Sequence, residues 1–338
     1  MSSRLISRLY WACGKDNHAK NVMECCDEAF LTDDGKFWRT NFCKDKWCPM
    51  CQWKKTRFIF HRVMEIVKDM EKVYGFAFLT LTVPNVPGAD LSDTLDRMKK
   101  AYRVFMGASG SRAGKARGFA AFKGSMQAIE ITYNQETDTY HPHIHALVAL
   151  PKAYFDRKRN HNIYVTKEQI WERWGECYPG AESVKWQAIS TKKINQEGMD
   201  ETIDFPAAVA EIAKYPFKMT DLYLMDKDGN EKIIEVFETI QAALFRRPLY
   251  RFFGIMKTVS AKLTDKEEYL LSFIQLEERG TSFSAHHFQF PPSGSGRLHY
   301  TETWRLSPSE HLEKVFIDPW LWQRYGPTLA LSEQVEIS

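Results

Sequence analysis

The chain has 338 residues, 44% of them hydrophobic and 14% aromatic, which suits a packed globular protein of one large domain with appendages, or of two domains. A formal net charge of +3 excludes a strongly basic chain, so any affinity for nucleic acid must come from local patches. No signal peptide and no long apolar run is recognisable, which predicts a soluble, cytoplasmic protein with no membrane partner.

Residues 1 to about 55 are rich in cysteines and turn formers. Seven cysteines without a secretion signal point to thiols or metal ligands, not disulfides. Cys43, Cys48 and Cys51 offer three thiolates for one tetrahedral zinc, and the Cys48-x-x-Cys51 knuckle supplies the tight turn. The fourth ligand comes from Cys25, Cys26, Cys13 or His18; Cys25 or Cys26 is expected, because Cys13 lies further out. No thioredoxin-like pattern surrounds the knuckle, which counts against a redox role.

Gln52 to about Val73 reads as a helix with a basic N-terminal half that includes Lys54, Lys55, Arg57 and Arg62. Phe76 to Val83 is a strand, stopped by Pro84 and Pro87. Asp90 or Ser92 is the expected cap of a helix running to about Met106. Gly107 to Gly118 is a glycine- and arginine-rich loop in which Arg112, Lys115 and Arg117 are placed to touch phosphates. Ser109 and Ala116 stand where a phosphate-binding Walker loop needs Gly and Ser or Thr, so no nucleotide loop is formed.

Met126 to Tyr133 and Tyr140 to Val148 read as two strands joined by a turn at Asn134 to Thr139. Alternation along a strand projects His143 and His145 to one side, with Ile144, Ala146 and Val148 to the other. Closing the hairpin near its middle sets Glu130 opposite His143 or His145, and either pairing puts the carboxylate on the histidine face. Two nitrogens and one oxygen with open positions form a divalent metal site. The bland alternative is a pair of solvated strand histidines. His141, at the strand's entry, is read as a supporting or exposed residue. Thr80 and Thr82 are read as strand-face residues without a catalytic part.

Thr166 to Tyr178 suits a helix with Ile170, Trp171 and Trp174 inward, and Ser183 to Ile194 a strand. Asp204-Phe205-Pro206 has the form of a helix start. That helix carries Glu211 and Tyr215 one turn apart on one face, while Pro216 disfavours helical geometry at Tyr215. A further helix covers about Glu231 to Phe245 and a strand Leu249 to Met256. Gly280 to Gly296 reads as a loose segment, with His286 and His287 as loop residues.

The order of motifs resembles the rolling-circle plasmid replication initiators, the Rep proteins of the HUH endonuclease superfamily. Those motifs are Cys43-x4-Cys48-Pro-x-Cys51, Phe78 to Thr82, His141-Pro-His143-Ile-His145 and Glu211-x-x-Lys214-Tyr215-x-x-Lys218, across roughly residues 20 to 260. Cys25-Cys26 departs from the family's frequent Cys-Gly, and Pro216 after the tyrosine is a second departure. The resemblance implies an α+β fold: an HUH-type antiparallel sheet flanked by helices, with an N-terminal zinc-binding segment. The expected divisions are 1–55 for that segment, 56–260 for the endonuclease and 261–338 for an extension of unassigned role.

It further implies that one strand of origin DNA is nicked through a 5′-phosphotyrosine intermediate. Tyr215 would be the nucleophile and Glu211 the carboxylate that activates water at termination, with Lys214 and Lys218 at basic positions of the tyrosine motif. His143, His145 and Glu130 would hold Mg²⁺ or Mn²⁺, and the cysteines structural Zn²⁺. Expected partners are single-stranded or hairpin origin DNA, a host helicase with its replication machinery, and a second copy of the chain on DNA. A transposase or mobilisation relaxase would use the same chemistry. A zinc-stabilised, non-catalytic DNA-binding regulator is the alternative of a different class.

Overall fold

The computed structural model describes residues 3–32, 37–107, 119–156, 163–189, 200–203, 205, 208–209, 212, 219–229, 231–264, 283–289 and 299–306. In chain order the elements are α1 (Ser3–Ala12), α2 (Asp16–Met23), β1 (Glu28–Thr32), β2 (Phe37–Thr40), α3 (Pro49–Met70), β3 (Tyr74–Thr82), α4 (Gly88–Phe105), β4 (Gly124–Asn134) and β5 (Thr139–Pro151). They continue as α5 (Lys167–Cys177), β6 (Val184–Ile189), β7 (Asp200–Ile203), α6 (Met219–Lys227), α7 (Ile233–Ala243), β8 (Tyr250–Phe253), α8 (Gly254–Thr264), β9 (Phe283–Gln289) and β10 (His299–Leu306). Among the described residues no helix is long and apolar enough to cross a membrane. The chain divides into two compact units, residues 59–264 and residues 1–58 with 265–338.

The first unit is an α+β fold on a six-stranded sheet of order β7-β6-β3-β5-β4-β8. Every pairing is antiparallel except that of β7 with β6. β5 sits between β3 and β4 and is buried on both faces from Pro142 to Leu150, so that apart from His143 and His145 its residues are apolar without a polar alternate. On one face, Tyr102 of α4 donates to Ser125 Oγ at 2.8 Å. Trp174 of α5 donates its indole N–H to Thr82 O at 2.9 Å, and the Phe122 and Trp186 rings stack at 5.6 Å. Trp174 and Trp186 are wholly buried there.

On the other face lie the residues in register with the histidines, Phe76, Phe78, Thr80 and Thr82 of β3 and Lys185 and Gln187 of β6. Arg62 of α3 lies over Phe252 of β8 on this face, and also donates to Ser260 Oγ of α8 at 2.8 Å. Where the end of β8 pairs with the start of β4, two backbones approach too closely for side chains. A Cβ on Gly124 would sit 2.6 Å from Phe253 O, and Gly254 adopts φ +52°.

Several local expectations are corrected. Pro87, not Asp90 or Ser92, occupies the N-cap of α4, and Asp90 falls in the first turn. In α5 the Thr166–Gln169 capping box forms, but Trp171 is exposed, and Arg173 is buried in its place beside Ile170 and Trp174. Arg173 reaches Val104 O and Glu176, which lets its stem cover apolar surface.

The second unit opens with α1 and α2, in a segment read from sequence as rich in turn formers. Its sheet has the order β10-β9-β1-β2, all antiparallel, so C-terminal strands complete an N-terminal sheet. His286 and His287 are strand residues paired with Leu31 and Phe30, not loop residues.

Removing residues 265–338 would strip β9 from β1 and bare a row of unpaired backbone groups. Calorimetry and light scattering of that truncation should show a melting midpoint several degrees lower and concentration-dependent association. An unchanged midpoint in a monomeric truncation would contradict the pairing.

Candidate metal centres

The β4–β5 register sets Glu130 directly across from His143, and His145 two residues on is flanked by Ala128 and Thr80. Both imidazoles reach one carboxylate oxygen, His143 Nε2 and His145 Nε2 each lying 2.8 Å from Glu130 Oε2. The rings stand edge to face at 4.7 Å. With Glu130 at 5%, His143 at 9% and His145 at 7% exposure, these are not solvated strand residues. Burial alone would raise the Glu130 carboxyl. The bonds from His143 and His145 outweigh it and hold the group well below the usual carboxylate range.

Neighbours orient the ligands. Thr80 Oγ1 lies 3.1 Å from His145 Nδ1, and Phe78 stacks on the same ring at 5.6 Å. A hydrogen bond at Nδ1 selects the tautomer and leaves Nε2 to face the cluster. Thr80 is a strand-face residue, as expected, and its hydroxyl also meets the His145 ring. His141 pairs instead with Asn85 Oδ1 at 2.6 Å and stays outside the group.

The three donor atoms lie within 4.8 Å of one another, and His143 Nδ1 is buried without a partner among the described residues. Two imidazole nitrogens and an ionised carboxylate fit a divalent cation with coordination positions left for substrate.

The Phe205 ring lies tilted against Phe76 with centroids 6.1 Å apart, which puts Phe205 on the sheet face that carries the cluster. Ala208, Val209 and Ile212 are fully buried, at the i, i+1, i+4 spacing of a helix. Glu211, Lys214, Tyr215 and Lys218 lie outside the described residues, as do Arg112, Lys115 and Arg117. Lys185, which the sequence reading passed over, is exposed on the cluster face, across from Thr80. Only the strand register could have marked it.

The second group is four sulfurs, Cys25, Cys43, Cys48 and Cys51, all within 4.8 Å of one another. Cys25 Sγ and Cys43 Sγ each lie 3.6 Å from Cys51 Sγ. That is far beyond a disulfide, and close to the edge of about 3.8 Å that a tetrahedron with ~2.3 Å zinc–sulfur bonds requires. The geometry takes Cys25 rather than Cys26, which turns away at φ +62°. Lys44 at φ +59° turns the chain after Cys43 and donates its N–H to Cys51 Sγ at 3.2 Å, while the Cys43 N–H donates to Cys25 Sγ at 3.4 Å.

Pro49 opens α3, so Cys48 and Cys51 flank a helix N-terminus that favours thiolates. Hydrogen bonding from Cys25 and its other neighbours pulls the Cys51 thiol down, while bonding to Cys43, Cys48 and Cys51 pushes Cys25 up. Four thiols alone therefore do not all ionise; a divalent cation removes the remaining protons as it binds. Asp45 braces the loop, accepting from Tyr10 at 2.9 Å and Trp47 N–H at 2.7 Å and pairing with His18 at 2.7 Å. His18 is thus a partner of Asp45, not a ligand.

The replication-protein family matches residues 34–290, about three quarters of the chain. A "Protein rep" of a Bacillus species is 30% identical over 237 residues, covering 68% of this chain and 73% of the relative. One from Staphylococcus aureus is 32% identical over 195 residues, 57% and 76% of the two chains. Another, from Streptococcus pneumoniae, is 29% identical over 238 residues, 68% and 67%. No solved structure matches.

Metal analysis of the purified protein should find about one zinc per chain. Cys48→Ser should lose it and unfold the knuckle; full metal content in that variant would refute the four-sulfur site. Thr80→Val should weaken divalent-metal binding at the histidines about 10- to 100-fold with the fold intact. Unchanged affinity would remove its orienting role.

Proposed function

The chain belongs to the replication-protein family of plasmid replication initiators, and from that premise we propose that it nicks and rejoins single-stranded origin DNA to drive rolling-circle replication. The reading assigns the nucleophile to Tyr215, the metal to Glu130, His143 and His145, and the chemistry to the unit of residues 59–264. The observation that carries it is the convergence of a carboxylate and two imidazoles on the sheet face where the Phe205 ring meets Phe76.

Sequence spacing supports pairing the tyrosine with the cluster: Tyr215 follows the buried Ile212 by three residues, the separation at which two positions of a helix share a side.

In the proposed step the Tyr215 phenolic oxygen attacks the scissile phosphorus, forming the phosphotyrosyl bond as the P–O3′ bond breaks. The phenol gives up its proton, and the departing 3′-oxygen takes one up. At neutral pH only about one tyrosine in a thousand is ionised, so the site must favour the anion. Lys214 and Lys218 are the nearest cations in sequence that can do so, and Lys185 is placed to hold a flanking phosphate. A divalent cation at the cluster would neutralise charge on the non-bridging phosphate oxygens.

Because the phosphodiester energy is conserved in the phosphotyrosyl bond, a returning 3′-hydroxyl can reverse the step without ATP. Glu211, one helical turn from Tyr215, would take a proton from water to release the final product. The partners that follow are single-stranded or hairpin origin DNA, a host helicase with its replication machinery, and a second copy on DNA, all in the cytoplasm.

With Mn²⁺ and a single-stranded origin oligonucleotide, the protein should form a covalent adduct visible on a denaturing gel. Tyr215→Phe should abolish it, and His143→Ala should lower its rate at least about 100-fold. Undiminished adduct from Tyr215→Phe would move the nucleophile elsewhere. Glu211→Ala should still form adduct but hydrolyse it slowly; ordinary hydrolysis would cancel its assigned role.

A further inference from the structure

Beside the four sulfurs, within the unit of residues 1–58 and 265–338, lies a cavity of about 390 Å³. The Phe42–Lys46 loop and the first turns of α3 form it. Its volume lies at the small end of the range for small-ligand sites. Phe42 and Phe58 supply ring walls, and Lys44, Lys46, Lys54 and Lys55 ring the opening. The one carboxylate in the lining, Asp45, is already engaged by Tyr10, His18 and the Trp47 N–H, so the cavity's balance is cationic. Lys54 Nζ sits 4.2 Å from the centroid of Phe42, which joins charge to ring in one surface.

A separate observation concerns the cavity's polar wall. Gln52 lines it, is 4% exposed and spends its amide N–H on Lys46 O, while its Oε1 is buried without a partner among the described residues. A buried acceptor without a donor is costly, and a native structure usually supplies the donor.

We infer that this cavity seats one unpaired nucleotide of the bound DNA strand, its base against the phenylalanine rings with an exocyclic amino group donating to Gln52 Oε1, and its phosphates on the lysines. Cationic grooves with aromatic platforms hold single strands in this way, since every base has a π-face. An acidic peptide would meet the lysines but leave the rings and Gln52 unused. The site is remote in sequence from Glu130, His143 and His145, so it would choose and hold the strand without entering the chemistry. It rests on the reading of the chain as a DNA-acting initiator.

The test uses the full chain and single-stranded oligonucleotides carrying 2-aminopurine at one position at a time. Wild type should quench the probe at one position, and Phe42→Leu and Phe58→Leu should relieve the quench and weaken binding about ten-fold. Lys54→Gln with Lys55→Gln should lower the slope of log affinity against log salt by about 1.4, two phosphate contacts on a single strand. Gln52→Leu should narrow the difference in affinity between an amino-bearing base and thymine at the quenched position. Zinc content equal to wild type certifies the fold of each variant.

Unchanged affinity, salt slope and quench in folded variants would overturn the pocket. So would equal competition by deoxynucleoside monophosphate alone, which marks a free-nucleotide site, or by polyglutamate, which marks a protein-binding one. Adduct formation on a minimal oligonucleotide around the nick is measured alongside. Its presence with an inert cavity refutes the cavity alone, whereas its absence in wild type refutes the nicking chemistry.

Discussion

The antiparallel register of β4 on β5 is the constraint from which the candidate active centre follows. With Glu130 facing His143, one carboxylate oxygen meets two imidazole nitrogens at 2.8 Å. A slip by one residue would turn Glu130 to the opposite face, into the packing of Tyr102 and Trp174. There a carboxylate would be buried without a partner, at a cost of several kcal/mol, so register and site enforce each other. The strand's other neighbour completes the arrangement, because β3 in register brings Thr80 and Phe78 to His145. Thus the strand pairings decide where the three side chains converge and which nitrogen of His145 meets Thr80.

The four-sulfur group solves a different problem. The loop from Asn41 to Trp47 has few apolar residues of its own, and a left-handed turn at Lys44 must be held in place. Sulfur-to-sulfur distances of 3.6 Å and the N–H bonds to Cys25 and Cys51 hold it from one side. Asp45 holds it from the other, tying the loop to Tyr10 of α1 and His18 of α2. The loop is also one wall of the lysine-rich cavity, so the four-sulfur group helps to shape that cavity.

What could be read in advance was whatever local period and spacing encode. Alternation along Met126–Tyr133 and Tyr140–Val148 identified the hairpin and put Glu130, His143 and His145 on one face, leaving only the register to be settled. Cysteine spacing named three of the four sulfurs, but choosing Cys25 over Cys26 needed the backbone turn at Cys26. Long-range pairing was not legible: β9 joins β1 across some 250 residues, and no local signal in Phe283–Gln289 names its partner. Arg173 in place of Trp171 is a failure of another kind, since the arginine's long apolar stem buries while its charge finds Val104 O and Glu176. Thr80 and Lys185 gain meaning only from strands that are distant in sequence.

The claim at the centre is that Glu130, His143 and His145 are metal ligands and not merely a buried ion-paired trio. Electron spin echo spectroscopy of the protein with one equivalent of Mn²⁺ addresses it directly, because coordinated imidazole nitrogens modulate the manganese echo. The account predicts modulation from two nitrogens, reduced to one in His143→Ala and in His145→Ala, with weakened binding in Glu130→Gln. A spectrum without nitrogen coupling, or one indifferent to all three substitutions, would contradict it.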